Sequence, residues 1–217
     1  MRRFFKKMLS LVIKKLVSKR SSNVPPLLKK FNGAYVSDCT TVPLSPSLAE
    51  QYPGCGGKTE KSCTASVKIF LRTEITTGNT TDILIDAGKT SDHTFIEKAS
   101  KLPAGSLELL DLGFTDFKRL KENDNSNIYY ITRVQTNNKI TVDGETYDLP
   151  TFFSQHKRKD FDIRCELGVD QFPVRLVAIP APQSVANRRL KDLDKTAQKN
   201  SRTVSDGQKT LTHWTFY

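Results

Sequence analysis

The pattern of apolar and polar positions predicts three strands in the first part of the chain. Ala34–Val36 is an apolar run that ends at Asp38 and predicts a first strand. Ala65–Ile75 alternates apolar and polar positions as a second strand would. Thr77–Asn79 is a turn before a third strand, Thr81–Ala87. We expect these three strands to be antiparallel neighbours, with the Pro- and Gly-rich segment after the first one forming a loop.

The pattern then alternates between helix and strand. The predicted elements are the helix Asp92–Leu102, the strand Ser106–Leu110, the helix Asp116–Glu122 and the strand Asn127–Val134. Ser91 or Asp92 is a natural cap for the first of these helices, and Pro103 breaks it. Three strands followed by helix, strand, helix and strand suit an α/β domain with a mixed sheet. A ribonuclease-H-like fold has this order, and several other α/β folds share it.

After Arg133 the pattern becomes rich in short strands. Lys139–Leu149 predicts a hairpin with Asp143–Gly144 as its turn. Further strands are predicted at Asp160–Glu166 and Phe172–Ile179, followed by a charged helix over Gln183–Lys199 that carries Arg188 and Arg189. The last residues, Leu211–Tyr217, predict a strand that is cut off in mid-course.

Charge is concentrated at the start of the chain. The 217 residues have a formal net charge of +11, and ten Lys and Arg but no acid lie in residues 1–37. Within this stretch, Phe5, Leu9, Val12 and Leu16 recur at helical spacing with lysines between them, which predicts a basic amphipathic helix. Such a helix packs on other protein, binds phosphate backbones or lies on a membrane surface. Its apolar run is too short to span a bilayer.

The cysteines and histidines argue against a zinc site and a disulfide scaffold. The four cysteines (39, 55, 63 and 165) have no C-x-x-C spacing, and none of the three histidines lies in an H-E-x-x-H pattern. Four cysteines in a chain of this length are typical of reduced thiols in a cytoplasmic protein.

Two aspartates are candidates for metal-dependent chemistry on DNA. Asp38 and Asp111 each follow an apolar run that resembles a strand, AYVSD and SLELLD. Phosphodiester cleavage uses two divalent cations about 3.5–4 Å apart, and Mg²⁺ prefers carboxylate oxygens on rigid elements. An Asp at a strand end is also a common turn residue or helix cap, and Asp82, Asp86 and Asp92 compete for the role, with Asp92 explained by capping.

Three segments resemble the catalytic core of the insertion sequence 4 family of DDE transposases. They are Asp38-Cys39-Thr40 on the first strand, Asp111-Leu112-Gly113-Phe114 after an apolar run, and the strand NIYYITRV that ends in Arg133. The segments come in the family's order, and the resemblance covers roughly residues 30–217. It implies a ribonuclease-H-like mixed sheet of the α/β class, with a β-rich insertion after the fifth strand.

The resemblance also implies roles for individual residues. Asp38 and Asp111 would be catalytic and would bind Mg²⁺ or Mn²⁺. Thr40, Arg133, Arg188, Arg189 and Trp214 would contact DNA. Trp214 would stack on a flipped base, or it is a core aromatic. Arg133 would contact phosphate, or it forms a salt bridge.

The family's third carboxylate is a Glu in a Y-x-x-R-x-x-x-E signature on a later helix. The chain ends at Tyr217 before such a signature, so we expect the last catalytic helix to be missing. The expected layout is a basic leader and linker (1–24), the first part of the core (25–134), the β-rich insertion with its basic helix (135–210) and the start of a returning core strand (211–217).

The expected function is that of a DDE transposase, which nicks DNA and transfers strands in transposition, here as an inactive fragment. The alternative is a non-catalytic DNA-binding or inhibitory truncated transposase. The expected partners are DNA, at transposon ends and target, and full-length transposase or a second copy of the chain. We expect no membrane partner and a cytoplasmic, nucleoid-associated location.

Overall fold

The computed structural model describes residues 25–56, 64–114, 117–134, 136–156 and 158–217. The chain divides into two compact units, Met1–Thr132 and Arg133–Tyr217. The predicted basic helix of the leader lies outside the described residues, as does Cys63. The three cysteines that are described, Cys39, Cys55 and Cys165, are free thiols.

The first unit contains a five-stranded mixed sheet with the order β3-β2-β1-β4-β5. Its strands are β1 (Ala34–Pro43), β2 (Ser66–Glu74), β3 (Asn79–Ala87), β4 (Leu107–Leu110) and β5 (Tyr129–Thr132). β2 is antiparallel to both of its neighbours, whereas β1, β4 and β5 run parallel to one another. The expected mixed α/β sheet is therefore present, and β1 lies at its centre.

Two helices, α1 (Asp92–Lys98) and α2 (Phe117–Asn125), cover one face of this sheet. Phe95 of α1 stacks on Phe70 of β2 with ring centroids 5.9 Å apart, and both rings are buried. Side chains alternate between the two faces of a strand, and the opposite face is more open: Val36, Ile131 and Tyr129 are 38%, 46% and 61% exposed. The core of the unit therefore lies between the sheet and its helices.

The first strand is longer than the sequence predicts. Its predicted end at Asp38 is wrong, because β1 continues to Pro43 and pairs with β2 from Tyr35↔Glu74 to Pro43↔Ser66. This long antiparallel partner supplies backbone hydrogen bonds after the parallel pairing with β4, which covers only Ala34–Val36, has ended. Asp38 thus lies inside a strand, at the level where one of its two neighbours stops.

The first helix is shorter than the sequence predicts. The side chain of Ser91 caps it by accepting a hydrogen bond from the Thr94 amide, as expected. It ends at Lys98 and not at Leu102, because the backbone amide and hydroxyl of Ser100 both donate to Asp82 of β3, at 3.0 and 2.7 Å. These bonds draw the chain toward the sheet edge before Pro103 is reached.

The second unit contains a five-stranded sheet with the order β10-β9-β8-β6-β7 and antiparallel pairing throughout. Its strands are β6 (Lys139–Val142), β7 (Glu145–Asp148), β8 (Phe161–Leu167), β9 (Phe172–Pro180) and β10 (Trp214–Phe216). Asp143 and Gly144 have φ angles of 51° and 85°, the left-handed conformation that a two-residue hairpin turn requires. The predicted hairpin is confirmed.

Three helices accompany this sheet: α3 (Leu149–Gln155), α4 (Gln183–Lys199) and α5 (Asp206–Thr212). The sequence pattern predicts α4 with its exact bounds but misses the other two. Each of the missed helices has a local start signal. Asp148 caps α3 by accepting a hydrogen bond from the Thr151 amide at 2.7 Å, and Ser205 and Gln208 form a reciprocal capping box at the start of α5.

The end of the chain lies in the second sheet. We expected residues 211–217 to return to the core sheet, but β10 pairs with β9 through Trp214↔Pro180 and Phe216↔Ala178, which corrects that expectation. An aromatic cluster explains this placement. Phe152, Phe153 and Phe161 are buried, and Trp214 stacks on Phe153 with centroids 4.9 Å apart. β10 therefore closes the core of the second unit.

Candidate metal centre and nucleic-acid surface

The parallel register of β1 and β4 predicts that Asp38 and Asp111 belong to one row across the sheet. Ala34 of β1 pairs with Leu107 of β4, and Val36 pairs with Leu109. The same register carried two residues further brings Asp38 beside Asp111, which directly follows the last residue of β4. Adjacent strands are about 4.8 Å apart, and residues of one row point to the same face. The register therefore predicts that the two carboxylates share a face and a level.

This row belongs to the open face of the first sheet. Asp38, Asp111 and Thr40 are all exposed, and Asp38 and Thr40 alternate with the buried Ser37 and the half-buried Cys39 along β1. An oxygen of Asp38 accepts a hydrogen bond from the amide of Cys39 at 2.8 Å. Thr40 thus lies on the same face of β1 as Asp38, two residues further along the strand.

The donor types fit a hard divalent cation, because they are two exposed carboxylates, one on β1 and one directly after β4. Within the described residues, no group of three or more Asp, Glu, His or Cys side chains is arranged to hold a metal ion. No third described side chain of these types therefore completes a cluster with the two aspartates.

A third carboxylate, Asp92 at the start of α1, lies on the other side of the sheet. Its Oδ1 is 2.9 Å from the Nζ of Lys68, which also donates to the Thr90 carbonyl at 2.7 Å. Cys39 lies beside this pair. Burial raises the pKa of the Cys39 thiol to about 12, and the charge of Asp92 and a hydrogen bond to it act in the same direction. Cys39 is therefore a protonated thiol and not a nucleophile.

A buried ionic network lies on the helix-covered face of the sheet. Arg72 of β2 is fully buried and donates to Ser37 of β1 at 3.2 Å and to Glu108 of β4 at 3.3 Å. Glu108, also fully buried, accepts further bonds from Arg119 and Asn123 of α2. Burial lowers the pKa of Arg72, and the charges of Glu108 and Asp82 oppose that effect. The network connects the strands that carry the aspartate row.

In the second unit, the structure separates two arginines that the sequence treats alike. Arg189 points toward β10 and donates to the Trp214 carbonyl at 2.7 Å and to the Thr215 hydroxyl at 3.1 Å. Arg188 is exposed. The predicted DNA contact of Arg189 thus competes with a structural role, whereas Arg188 is available to a partner.

Arg188 is the first of four cations along one side of α4. The other three are Lys191, Lys195 and Lys199. At 100° per residue they fall within an arc of about 80° and extend over about 16 Å. All four are exposed, and none forms an ion pair with a described residue. Asp192 lies at the edge of this row, which we name the α4 basic stripe.

Trp214 and Arg133 remain predictions as DNA contacts. Trp214 is half-buried, with one ring face on Phe153 and an edge contact to Phe161 at 5.3 Å, so the core-aromatic interpretation accounts for its packing. Arg133 is exposed and directly follows the last residue of β5. No described helix is long and apolar enough to cross a membrane.

Comparison with known proteins shows that the chain is a distant homologue of insertion-sequence transposases. It is related to the IS231 transposases, which are members of the insertion sequence 4 family, so the predicted resemblance is confirmed. The transposase of IS231E from Bacillus thuringiensis subsp. finitimus is 29% identical over 151 residues, which are 69% of this chain and 30% of that protein. The transposase of IS231B from Bacillus thuringiensis subsp. berliner is 30% identical over 140 residues, or 64% of this chain and 29% of that protein.

A more distant relative is the transposase of IS1151 from Clostridium perfringens, 27% identical over 113 residues. The chain spans less than a third of the length of these relatives. No family model matches it. Among solved structures, the chain aligns with the piggyBac transposase in a synaptic complex with hairpin DNA. The alignment covers 83% of this chain and 45% of the piggyBac chain, at 11% sequence identity and a TM-score of 0.35.

Proposed function

We propose that the first unit is part of the catalytic core of a DDE transposase, with Asp38 and Asp111 as ligands of Mg²⁺ or Mn²⁺. The observation that supports the proposal is the β1–β4 register, which, extended two residues beyond its last pair, would bring both exposed aspartates to one level of the sheet. Homology to the IS231 transposases supports it. The strand order, with β1 central and β2 antiparallel to it, agrees with a ribonuclease-H-like fold.

The chemistry would be cleavage and transfer of DNA strands. A divalent ion bound there would supply a Lewis acid for phosphodiester oxygens. The chain's own residues would hold that ion: the two carboxylates provide the hard oxygen donors, and β1 and β4 fix their separation. The proposal extends to the activity of a whole transposase, since the chain aligns with only 30% of the length of the IS231E protein.

The metal site is tested by titrating the chain with Mn²⁺ and measuring free Mn²⁺ by electron paramagnetic resonance. We expect a site that the Asp38→Asn and Asp111→Asn variants each weaken by at least about 10-fold, since each removes a charged ligand. The matched control is Asp170→Asn, at an exposed turn residue of the second unit. Equal binding by all four proteins contradicts the proposed site.

A DNA-binding role for the second unit has a specific observation in its favour, the α4 basic stripe. Four exposed cations without carboxylate partners among the described residues can replace the counterions of a phosphate backbone. In this role Arg188 contacts phosphate, and Arg189 holds the helix against β10 so that the stripe faces outward. This function needs no catalysis and can coexist with the metal site.

A further inference from the structure

The helix α4 is held against the second unit along one side. Ala186 is its buried residue, and half-buried apolar residues extend that side along the helix: Val185, Leu190, Leu193 and Ala197. Arg189, on the same side, donates to the Trp214 carbonyl at 2.7 Å and fixes the orientation of the helix relative to β10. The opposite side is therefore left to solvent over a length of about 25 Å.

The outward side of α4 has no carboxylate near its centre. At 100° per residue, seven exposed polar residues fall within an arc of about 120° opposite the buried side. They are Ser184, Asn187, Arg188, Lys191, Lys195, Gln198 and Lys199. Asp192 and Asp194 lie outside this arc. An anionic partner can therefore approach the centre of the face without meeting a like charge.

The row of cations on this face destabilises the helix by itself. Lys191, Lys195 and Lys199 follow one another at intervals of four residues, where like charges repel across one helical turn. None of the three forms an ion pair with a described residue. An anionic partner along the helix removes that repulsion, and a DNA phosphate backbone supplies a row of negative charges.

Asn187 brings a second kind of group to the same face. Its Oδ1 accepts a hydrogen bond from the Nε2 of Gln183, one turn earlier, at 2.8 Å. This bond holds the amide in one orientation and leaves its Nδ2 without a partner among the described residues. A side chain held in this way can distinguish one base from another, and the asparagine amide matches N6 and N7 of adenine. The replacement of counterions alone does not require such a group.

We propose that α4 enters the major groove of duplex DNA and that Asn187 reads an adenine there. The major groove is about 12 Å wide and admits an α-helix of about 10–12 Å diameter. Asn187 lies in the first half of α4, the part of a recognition helix that contacts base edges, and the cations that follow it contact phosphates. This inference rests on the DNA-binding role proposed above for the α4 basic stripe, and it adds the recognition of a base.

The test begins with the whole chain and a pool of DNA duplexes with a randomised centre, from which bound duplexes are selected and sequenced. We expect an enriched site that contains an adenine. Replacing that adenine by 7-deazaadenine, which lacks the N7 acceptor, should weaken binding about 5-fold in fluorescence anisotropy, the lower end of the effect of a base contact. Asn187→Ala should bind both duplexes equally. The control Asn137→Ala, at an exposed residue outside α4, should keep the difference.

The salt dependence of binding separates base reading from phosphate contact. Asn187→Ala should keep the slope of log K against log salt, since no charge changes, and alanine favours the helix more than asparagine does. A pool without an enriched site, or a 7-deazaadenine effect that persists in Asn187→Ala, overturns base reading. The phosphate-binding role then still stands if the slope depends on Lys191 and Lys195. A slope that does not depend on these lysines overturns that role and this inference together.

Discussion

At the residue scale, the two proposed metal ligands could be proposed from the sequence, whereas the ion pairs on the helix-covered face of the sheet could not. Asp38 and Asp111 follow apolar runs, and this local pattern can be recognised in the sequence without knowledge of the fold. Lys68 and Asp92 meet only because β2 and α1 pack together, and no local pattern links residues so far apart. Arg188 and Arg189 are adjacent and chemically identical, so only the packing of α4 against β10 distinguishes them.

Arg72 should contribute strongly to the stability of the fold. Replacing Arg72 by Leu leaves Glu108 and Asp82 buried with one cation fewer, and breaking a buried ion pair from one side costs about 3–5 kcal/mol. The free energy of unfolding in urea should fall by that amount. Lys98→Met is the control, since the Lys98–Asp86 pair is exposed and worth less than about 1 kcal/mol. Losses of similar size in both variants would show that the network does not hold the sheet together.

At the scale of elements, the strands were easier to predict than the helices. β2, β3, β8 and β9 are close to their predicted bounds because their alternation or apolar content is strong. α3 and α5 are seven residues each, about two turns, so an apolar face can recur only once or twice, and the caps are their clearest local signals. The length of β1 depends on its pairing with β2, so the apolar run alone could not give it.

Glu74, at the end of β2, should stabilise the β2–β3 turn through its charge. Its buried carboxylate accepts hydrogen bonds from the amides of Thr76 and Thr77 in the β2–β3 turn and from the amide of Ala34 in β1. Burial raises the pKa of Glu74, but these bonds and those from the two threonine hydroxyls lower it more, so its pKa is below the ordinary 4.5. A lowered pKa stabilises the fold above about pH 4.5, and the stabilisation is lost as pH falls through the folded-state pKa.

Glu74→Gln should therefore be less stable than wild type at pH 7, by about 1–3 kcal/mol for hydrogen bonds to a charged group. The difference between the two proteins should shrink below pH 4.5, and urea unfolding at several pH values measures it. A difference that stays constant from pH 7 to pH 3 would mean that the charge of Glu74 does not stabilise the turn.

At the scale of the whole molecule, neither the strand order nor the strand that pairs with β10 could be predicted from the sequence. The order of elements suggests a mixed sheet, but several α/β folds share it, and only the pairing of β1 with β4 indicates that the two aspartates are neighbours. The pattern predicts a strand at the end of the chain without saying which sheet receives it. Trp214 lies in the second sheet because its ring completes the aromatic cluster around Phe153.

The α4 basic stripe should make DNA binding by the chain depend on salt concentration. If Lys191 and Lys195 each neutralise one phosphate, replacing both by Gln should reduce the slope of log K against log salt by about 1.8. Fluorescence anisotropy with a labelled duplex at several salt concentrations measures the slope. Lys139→Gln with Lys159→Gln, two exposed lysines of the same unit outside α4, is the matched control and should change the slope less. Equal changes in both double variants would mean that the α4 basic stripe has no special part in binding.

The central claim is that Asp38 and Asp111 hold one divalent ion between them. The most direct measurement is paramagnetic broadening of backbone amide signals by Mn²⁺ in nuclear magnetic resonance spectra of the whole chain. The signals of residues 36–40 and 109–113 should broaden first, and the Asp38→Asn/Asp111→Asn double variant should lose this broadening. Broadening centred elsewhere, or broadening of these signals that persists in the double variant, would contradict the claim.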